Sequence, residues 1–229
     1  MFLRRVKSCR RSKIFRKIAV SKLDRCRLSK EAQILDQVRH PRIPRLLDFT
    51  ERAAASELQM EQMPGIPLSR ALHSRLNVPN ICLEQIADAI RHLHKLGWNH
   101  SDIKPANILI EGANAYLVDF NAASPHGEHY SQLSERSFSP SFAAWKQLTG
   151  CGAVSVKDDL FSLELTRFVT FARRHPFEGQ SVAEFFSLGA DHIYSATSVF
   201  SRPFRDRVLE EYEEFLSETE ELPRFELVG

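Results

Sequence analysis

The 229-residue sequence predicts an α+β fold in which a small, strand-rich part precedes a larger, mainly helical part. Short runs of β-branched and aromatic residues before residue 64 favour strands. From about residue 155 onward, apolar residues recur with the spacing of helices. Pro64-Gly65 is a strong turn signal between the two parts. We therefore expect two lobes, residues 1–63 and 64–229, with a ligand cleft between them.

The first lobe is predicted to contain one helix and a group of strands. The helix covers 28–39, where Leu28, Ala32 and Leu35 share one face, and His40-Pro41 ends it. The predicted strands are 13–20, 43–49 and 57–63.

The clearest helix of the chain is predicted over 82–96, where apolar residues follow a spacing of three and four and Gly97 provides a C-cap. Two short apolar runs, 108–110 and 116–118, flank Gly112 and Asn114 and therefore predict a hairpin. Further helices are predicted at 158–172, 181–188 and 203–217.

Charge and cysteine content exclude several classes of protein. The net charge is only +2, so we expect no specific nucleic acid partner, and we interpret the basic start and the acidic run after residue 209 as solvated surface. No apolar run is long enough to span a membrane, and the basic start lacks the apolar run of a secretory signal, so we expect neither a membrane span nor such a signal. Because the four cysteines form no C-x-x-C pair or disulfide framework, we expect a reducing, cytoplasmic location.

The most informative segment is 98–124, which brings Asp102, Lys104, Asn107 and Asp119 around one loop and one hairpin. Two carboxylates, an amide and an ammonium group suit a site for a metal ion and a phosphate, because Mg²⁺ takes hard oxygen ligands. Phosphoryl transfer needs mainly positioning and charge neutralisation, together with a carboxylate that accepts the proton of the attacking hydroxyl. Any one of these residues alone would be better explained as a cap or turn residue.

These residues carry a family resemblance. His100–Asn107 (HSDIKPAN) resembles the catalytic loop H-R-D-x-K-x-x-N of the eukaryotic-like, Hanks-type serine/threonine protein kinase superfamily, and Asp119–Asn121 resembles its D-F-G motif. The resemblance implies a bilobal protein-kinase-like fold, ATP and Mg²⁺ as cofactors, and transfer to Ser or Thr hydroxyls of a protein substrate. Residues 139–144 resemble the end of an activation segment, where the peptide substrate docks.

By this resemblance, Asp102 is the catalytic base, Lys104 contacts the transferred phosphate, and Asn107 and Asp119 hold Mg²⁺. Leu109 lies beneath the adenine, and Met60 is the gatekeeper.

The resemblance also assigns the ATP-binding residues of the first lobe. Glu31 matches the glutamate of helix C, and its lysine partner is Lys17, with Lys22 as the alternative. The backbone of Glu61 and Met63 would bond the adenine. In the second lobe, Asp159 would tie back to the backbone of the catalytic loop.

The sequence departs from the family pattern at several positions. No glycine precedes Gly65, so the Gly-rich loop over the ATP phosphates is lacking, and so is the first strand. Three explanations stay open: a natural start further upstream, a trimmed kinase, or a partner that completes the first lobe. Asn121 replaces the glycine of D-F-G, and we expect it to tolerate a left-handed turn. Lys146 replaces a glutamate that normally makes a buried ion pair, so the second lobe must be braced differently.

Ser101 replaces the arginine that commonly pairs with a phosphorylated activation segment. We therefore expect activity that does not need phosphorylation there. Strong activation by acidic substitutions at Ser131, Ser134 or Ser137 would contradict this expectation.

Two alternative functions remain. A small-molecule or sugar kinase of the lipopolysaccharide-core type shares the superfold, although such enzymes usually lack Lys104-Pro105 and a peptide-docking segment. A pseudokinase that uses the fold as a binding scaffold is the other, and the lack of a Gly-rich loop is its best support.

Overall fold

The first lobe is built on a three-stranded antiparallel sheet with the strand order β1-β3-β2. The structure, a computed structural model, describes residues 14–133 and 138–219. The strands are β1 (Ile14–Ala19), β2 (Leu46–Glu51) and β3 (Ser56–Glu61). One helix, α1 (Lys22–Gln37), packs against this sheet. All four elements were predicted, with shifted ends.

Helix α1 begins six residues before the predicted start. Ser21 caps it, because its Oγ accepts a hydrogen bond of 3.0 Å from the backbone N–H of Asp24. The first turns are mostly polar, so apolar spacing gave no sign of them. Strand β2 begins later than predicted because the chain turns first, with the N–H of Ile43 bonded to the carbonyl of His40.

The chain passes from the first lobe to the second at Gly65. This residue has φ of +104°, and a Cβ atom placed on it would lie 2.4 Å from the carbonyl oxygen of Ile110. Only glycine permits this close approach. The crossing leads into a second sheet with the order β4-β6-β7. Its strands are β4 (Ile66–Pro67), β6 (Ile108–Glu111) and β7 (Asn114–Leu117), and the last two form the predicted hairpin.

The rest of the second lobe is mainly helical. Its helices are α2 (Leu68–His73), α3 (Asn80–Lys95), α4 (Trp145–Thr149), α5 (Val156–Ala172), α6 (Val182–Phe186), α7 (Ala190–Thr197) and α8 (Arg202–Thr219). Two short strands, β5 (Trp98–Asn99) and β8 (Ser124–Pro125), pair with each other. The predictions of α3, α5, α6 and α8 are confirmed. The sequence missed α2, α4 and α7, which are six, five and eight residues long.

Two hydrophobic cores support the site. The first joins the sheet of the first lobe and α1 to α3 and the β6–β7 hairpin. The second lies among α4 to α8 and is rich in aromatic rings, including the buried Phe161, Phe177 and Phe185. The phenylalanine-rich stretch 161–186 therefore packs in this core, except for Phe171, which is 46% exposed.

The interpretation of the acidic run on α8 as solvated surface is wrong for Glu211 and Glu214, whereas Glu210 and Glu213 are exposed. Glu211 is only 2% exposed, and Glu214 lies 2.9 Å from the Nζ of Lys146. The reason is that Lys146 on α4 and Lys157 on α5 face this helix, so part of the acidic run packs inward. Among the described residues, no helix has both the length and the apolar character needed to cross a bilayer.

Candidate active site

The carboxylate of Asp102 is fixed by hydrogen bonds on both of its oxygens. Its Oδ1 accepts a bond of 2.9 Å from the backbone N–H of Ser139. Its Oδ2 accepts bonds from Lys104 Nζ at 2.6 Å and from Asn107 Nδ2 at 2.9 Å. Lys104 also donates to the Oγ of Ser139 at 2.5 Å. The three predicted catalytic residues therefore meet at one point, beside the segment predicted to dock the substrate.

Asp159, in the first turn of α5, holds the backbone that precedes Asp102. Its two oxygens accept the N–H groups of His100, at 2.8 Å, and Ser101, at 2.9 Å. His94 on α3 lies 2.9 Å from the same carboxylate. Ser101 has φ of +62°, a conformation that is costly for a residue with a side chain. These contacts keep the loop in that strained conformation.

Gln147 on α4 makes a second link to the catalytic loop, which the sequence analysis missed. Its side chain is 1% exposed. Its Nε2 donates to the carbonyl of Ser101 at 2.9 Å, and its Oε1 accepts from the N–H of Ala144 at 3.1 Å. A lone glutamine in a short helix gives no sequence signal, so only the structure reveals this bridge.

The opposite wall of the site contains Lys17, Glu31 and Asp119. The Nζ of Lys17 lies 2.7 and 2.8 Å from the two carboxylate oxygens of Glu31, and 2.7 Å from Oδ1 of Asp119. The N–H of Phe120 also donates to Glu31 at 3.1 Å. Lys22, the alternative partner, is exposed in the first turn of α1. The structure thus pairs Lys17, and not Lys22, with Glu31.

Electrostatics favour the ionised forms of Lys17 and Asp119 in this cluster. Burial acts to lower the pKa of Lys17, but the carboxylates of Glu31 and Asp119 outweigh it and hold this pKa above its usual value. Burial likewise acts to raise the pKa of Asp119, and Lys17 at 2.7 Å reverses that effect, so the pKa of Asp119 is lowered. Asp119 is therefore a carboxylate at neutral pH, as a cation ligand must be.

A cleft of about 530 Å³ lies between the two walls. The predicted residues that line it are Lys17, Met60, Glu61, Met63, Asn107, Leu109 and Asp119. Apolar side chains, among them Phe15 and Val118, complete the lining. The N–H of Glu61 is already bonded to the carbonyl of Arg45, which leaves the carbonyl of Glu61 as the group that can meet a ligand. A wider groove of about 920 Å³ runs along the outer side of α1 and contains none of these residues.

The oxygens of Asn107 and Asp119 suit a hard cation. Both hydrogen bonds from the Asn107 amide to Asp102 come from Nδ2, so the amide oxygen is free to bind a cation. The Oδ1 of Asp119 is used by Lys17 and by Asn121 Nδ2 at 2.6 Å, and Oδ2 accepts no bond from any described residue. In the described ranges no three His, Cys, Asp or Glu side chains form a metal site by themselves, so a cation here would also need phosphate or water ligands.

The expectation that Asn121 adopts a left-handed turn is wrong. The left-handed residue is Asp119, with φ of +70°, and Asn121 is not among the residues with positive φ. The turn is therefore made two residues earlier, and the side chain of Asn121 instead donates to Asp119. Ser134 and Ser137 lie outside the described residues, so the structure does not test the expectation about phosphorylation.

Comparisons with known proteins agree with this geometry. The sequence profile of the protein kinase domain family matches residues 6–222. The chain is 29% identical over 172 residues to the serine/threonine-protein kinase pkn2 of Myxococcus xanthus, covering 70% of this chain and 21% of that protein. It is 31% identical over 165 residues to the human serine/threonine-protein kinase ULK3, covering 67% of this chain and 34% of that protein. The matches thus span only about a fifth to a third of the length of these relatives.

Proposed function

Because the chain belongs to the protein kinase family, we propose that it transfers a phosphoryl group from ATP, with Mg²⁺, to Ser or Thr hydroxyls of a protein substrate. The observation that carries the proposal is the arrangement around Asp102. Its carboxylate is held by Ser139, Lys104 and Asn107, next to the cleft that also contains Lys17 and Asp119. The serine/threonine kinases among its relatives support the choice of acceptor.

Asp102 is the group that receives the acceptor hydroxyl. Its position is set by the donors on both oxygens, so it can orient the hydroxyl and accept its proton without moving. Lys104 lies 2.6 Å from Asp102 and 2.5 Å from Ser139, which puts a positive charge beside the point where the phosphoryl group would arrive. The bond from Ser139 N–H to Asp102 joins the substrate-docking segment to this carboxylate.

The opposite wall would bind ATP. Lys17 carries a positive charge for the phosphates, and Glu31 holds that charge in place. The carbonyl of Glu61, the backbone of Met63 and the side chain of Leu109 would meet the adenine in the cleft. Asn107 and Asp119 would hold Mg²⁺, which neutralises phosphate charge when it is bound.

A pseudokinase is the second candidate, and one observation favours it. Residues 1–64 contain no glycine, so this stretch supplies no Gly-rich loop of the kind that cradles phosphates. In an active kinase, that cover would come from a partner that completes the first lobe or from residues upstream of this sequence, unless a trimmed kinase works without it. Such a partner and a cytoplasmic location stay predictions.

The proposal is tested by incubating the purified chain with labelled ATP, Mg²⁺ and generic acceptor proteins. Asp102→Asn, which keeps the shape of the side chain, and Asp119→Asn serve as matched variants. We expect label on Ser or Thr with the native chain and none with either variant. Folded protein that binds ATP but labels no acceptor, alone or with a cell extract as a source of partners, would instead support the pseudokinase.

A further inference from the structure

A groove with only basic titratable side chains lies beside the substrate-docking segment. It is about 730 Å³ in volume and runs between the end of α2 and the end of α5. Its lining consists of Leu72, His73, Arg75, Val169, Arg173, Arg174 and His175. No carboxylate is among these residues, although Asp and Glu make up 29 of the 229 residues of the chain.

The arginines of this groove are not neutralised by acids. The guanidinium of Arg173 donates to the backbone carbonyls of Leu72 at 3.2 Å and Leu76 at 2.6 Å, and these carbonyls carry no net charge. Arg174 lies 6.0 Å from the ring centroid of Phe168. Neither Arg75 nor Arg174 forms an ion pair with any residue in the described part of the chain. The groove therefore presents three uncompensated positive charges to the solvent.

One contact ties the groove to the candidate active site. The Nε2 of His175 lies 2.8 Å from the carbonyl oxygen of Ser141. Ser141 is two residues from Ser139, whose N–H bonds to Asp102. These two contacts and the short segment between them place His175 within roughly 20 Å of Asp102. An extended chain advances about 3.3 Å per residue, so a peptide whose hydroxyl reaches Asp102 would enter the groove within about six residues.

We propose that this groove recognises acidic residues of the protein substrate, close in sequence to the phosphorylated hydroxyl. The inference rests on the proposed function for the identity of the bound chain. Arginine is well suited to this role, since its planar guanidinium binds carboxylates with two hydrogen bonds. Opposite charges here would select the substrate and also speed its association.

The test measures binding of two fluorescent peptides by anisotropy, so it does not need catalysis. Both peptides carry alanine in place of the acceptor serine, and they differ only in having Glu or Gln at the surrounding positions. We expect the Glu peptide to bind about tenfold more tightly at low salt, with the difference shrinking at high salt, because screening weakens exposed ion pairs. Replacing Arg75→Glu or Arg174→Glu should remove most of the difference.

Arg202→Glu is the control, because that side chain is 93% exposed on α8 and lies outside the groove. Arg173 is left unchanged, since it also joins α5 to the segment after α2. Equal affinity for the two peptides would overturn the proposal, and so would tighter binding of a single-stranded oligonucleotide to the same arginines. If the chain phosphorylates proteins without any preference for acidic ones, only the proposed role of the groove is contradicted. If it binds the Glu peptide preferentially but transfers no phosphoryl group, only the proposed kinase activity is contradicted.

Discussion

The Nζ of Lys146 on α4 lies 2.9 Å from Oε2 of Glu214 on α8, and the other oxygen of that carboxylate accepts a bond of 2.5 Å from Lys157 on α5. In the family pattern, position 146 is a glutamate that pairs with an arginine. Here the charges are reversed, with the base on α4 and the acid on α8. This brace joins three helices of the second lobe and supports the helix that follows the substrate-docking segment.

Glu214→Gln should lower the free energy of unfolding by about 1–2 kcal/mol, because two half-buried lysines lose their shared partner. Burial acts to raise the pKa of Glu214, but Lys157 and Lys146 outweigh it, so this pKa is lowered. The stabilisation is therefore present above the ordinary pKa of a glutamate and is lost as pH falls through the lowered one. Urea unfolding at pH 7 and at pH 3 measures both effects. The exposed Glu213→Gln is the control, and an equal loss in both variants would contradict the brace.

The catalytic loop was predictable from the sequence because its residues are nearly contiguous. Asp102, Lys104 and Asn107 fall within one turn-rich loop, and their types and spacing suffice to indicate the chemistry. The choice of Lys17 over Lys22 also followed from the sequence. Lys17 lies on a predicted strand, whereas Lys22 is too close to Glu31 along the chain.

The contacts that support the site were not predictable in the same way. Gln147 and Ser101 are 46 residues apart, and their bond depends on how α4 packs against the catalytic loop. The Lys146–Glu214 pair spans an even longer stretch of chain. Composition alone suggested that the acids of α8 are solvated, because a run of glutamates gives no sign of the lysines that face it.

Lys17→Met should abolish ATP binding and destabilise the fold by roughly 3 kcal/mol, because it leaves the buried carboxylate of Glu31 without its cation. Lys22→Met is the matched control, since that side chain is exposed on the surface of α1. Thermal unfolding with and without ATP measures both quantities. A loss of ATP binding in the Lys22 variant, with the Lys17 variant unaffected, would reverse the assignment.

Gly65→Ala should be far more damaging than Gly112→Ala. Both residues have positive φ, so each substitution costs about 1 kcal/mol in backbone strain. Only at Gly65 would the new Cβ lie 2.4 Å from a backbone oxygen, whereas nothing lies within 4 Å of it at Gly112. This clash forces β6 to move, and we expect it to add about 2 kcal/mol to the loss of unfolding free energy. Urea unfolding of the two variants compares these costs, and equal values would show that the crossing has room to adjust.

Glu211→Gln should stabilise the protein at neutral and alkaline pH. Burial, with the nearby charge of Asp158, raises the pKa of Glu211 from 4.5 to about 8. The folded state therefore binds more protons than the unfolded state between these values, and stability falls as pH rises through that window. Glutamine mimics the neutral carboxyl group. The substitution should therefore raise the free energy of unfolding by about 2–4 kcal/mol at pH 8 and leave it unchanged near pH 4. Unfolding midpoints across this range test the slope, and an unchanged slope would contradict the burial of Glu211.

Gln147→Glu should make activity depend on pH through a single hydrogen bond. The carboxylate can still accept from the N–H of Ala144, but it cannot donate to the carbonyl of Ser101. Because position 147 is buried, the new acid should have a raised pKa, and its protonated form regains the donor. We expect transfer to fall about tenfold at pH 8, the cost of one mispaired buried group, and to recover toward the native rate near pH 6.

Gln147→Met is the control for this substitution, because it fills the same space and has neither hydrogen-bonding group. Its transfer rate should be lowered by the same factor at both pH values, since the side chain at position 147 then does not titrate. A purely structural role would give the two variants parallel pH profiles. Recovery of the glutamate variant alone would show that Gln147 positions the catalytic loop through its bond to Ser101.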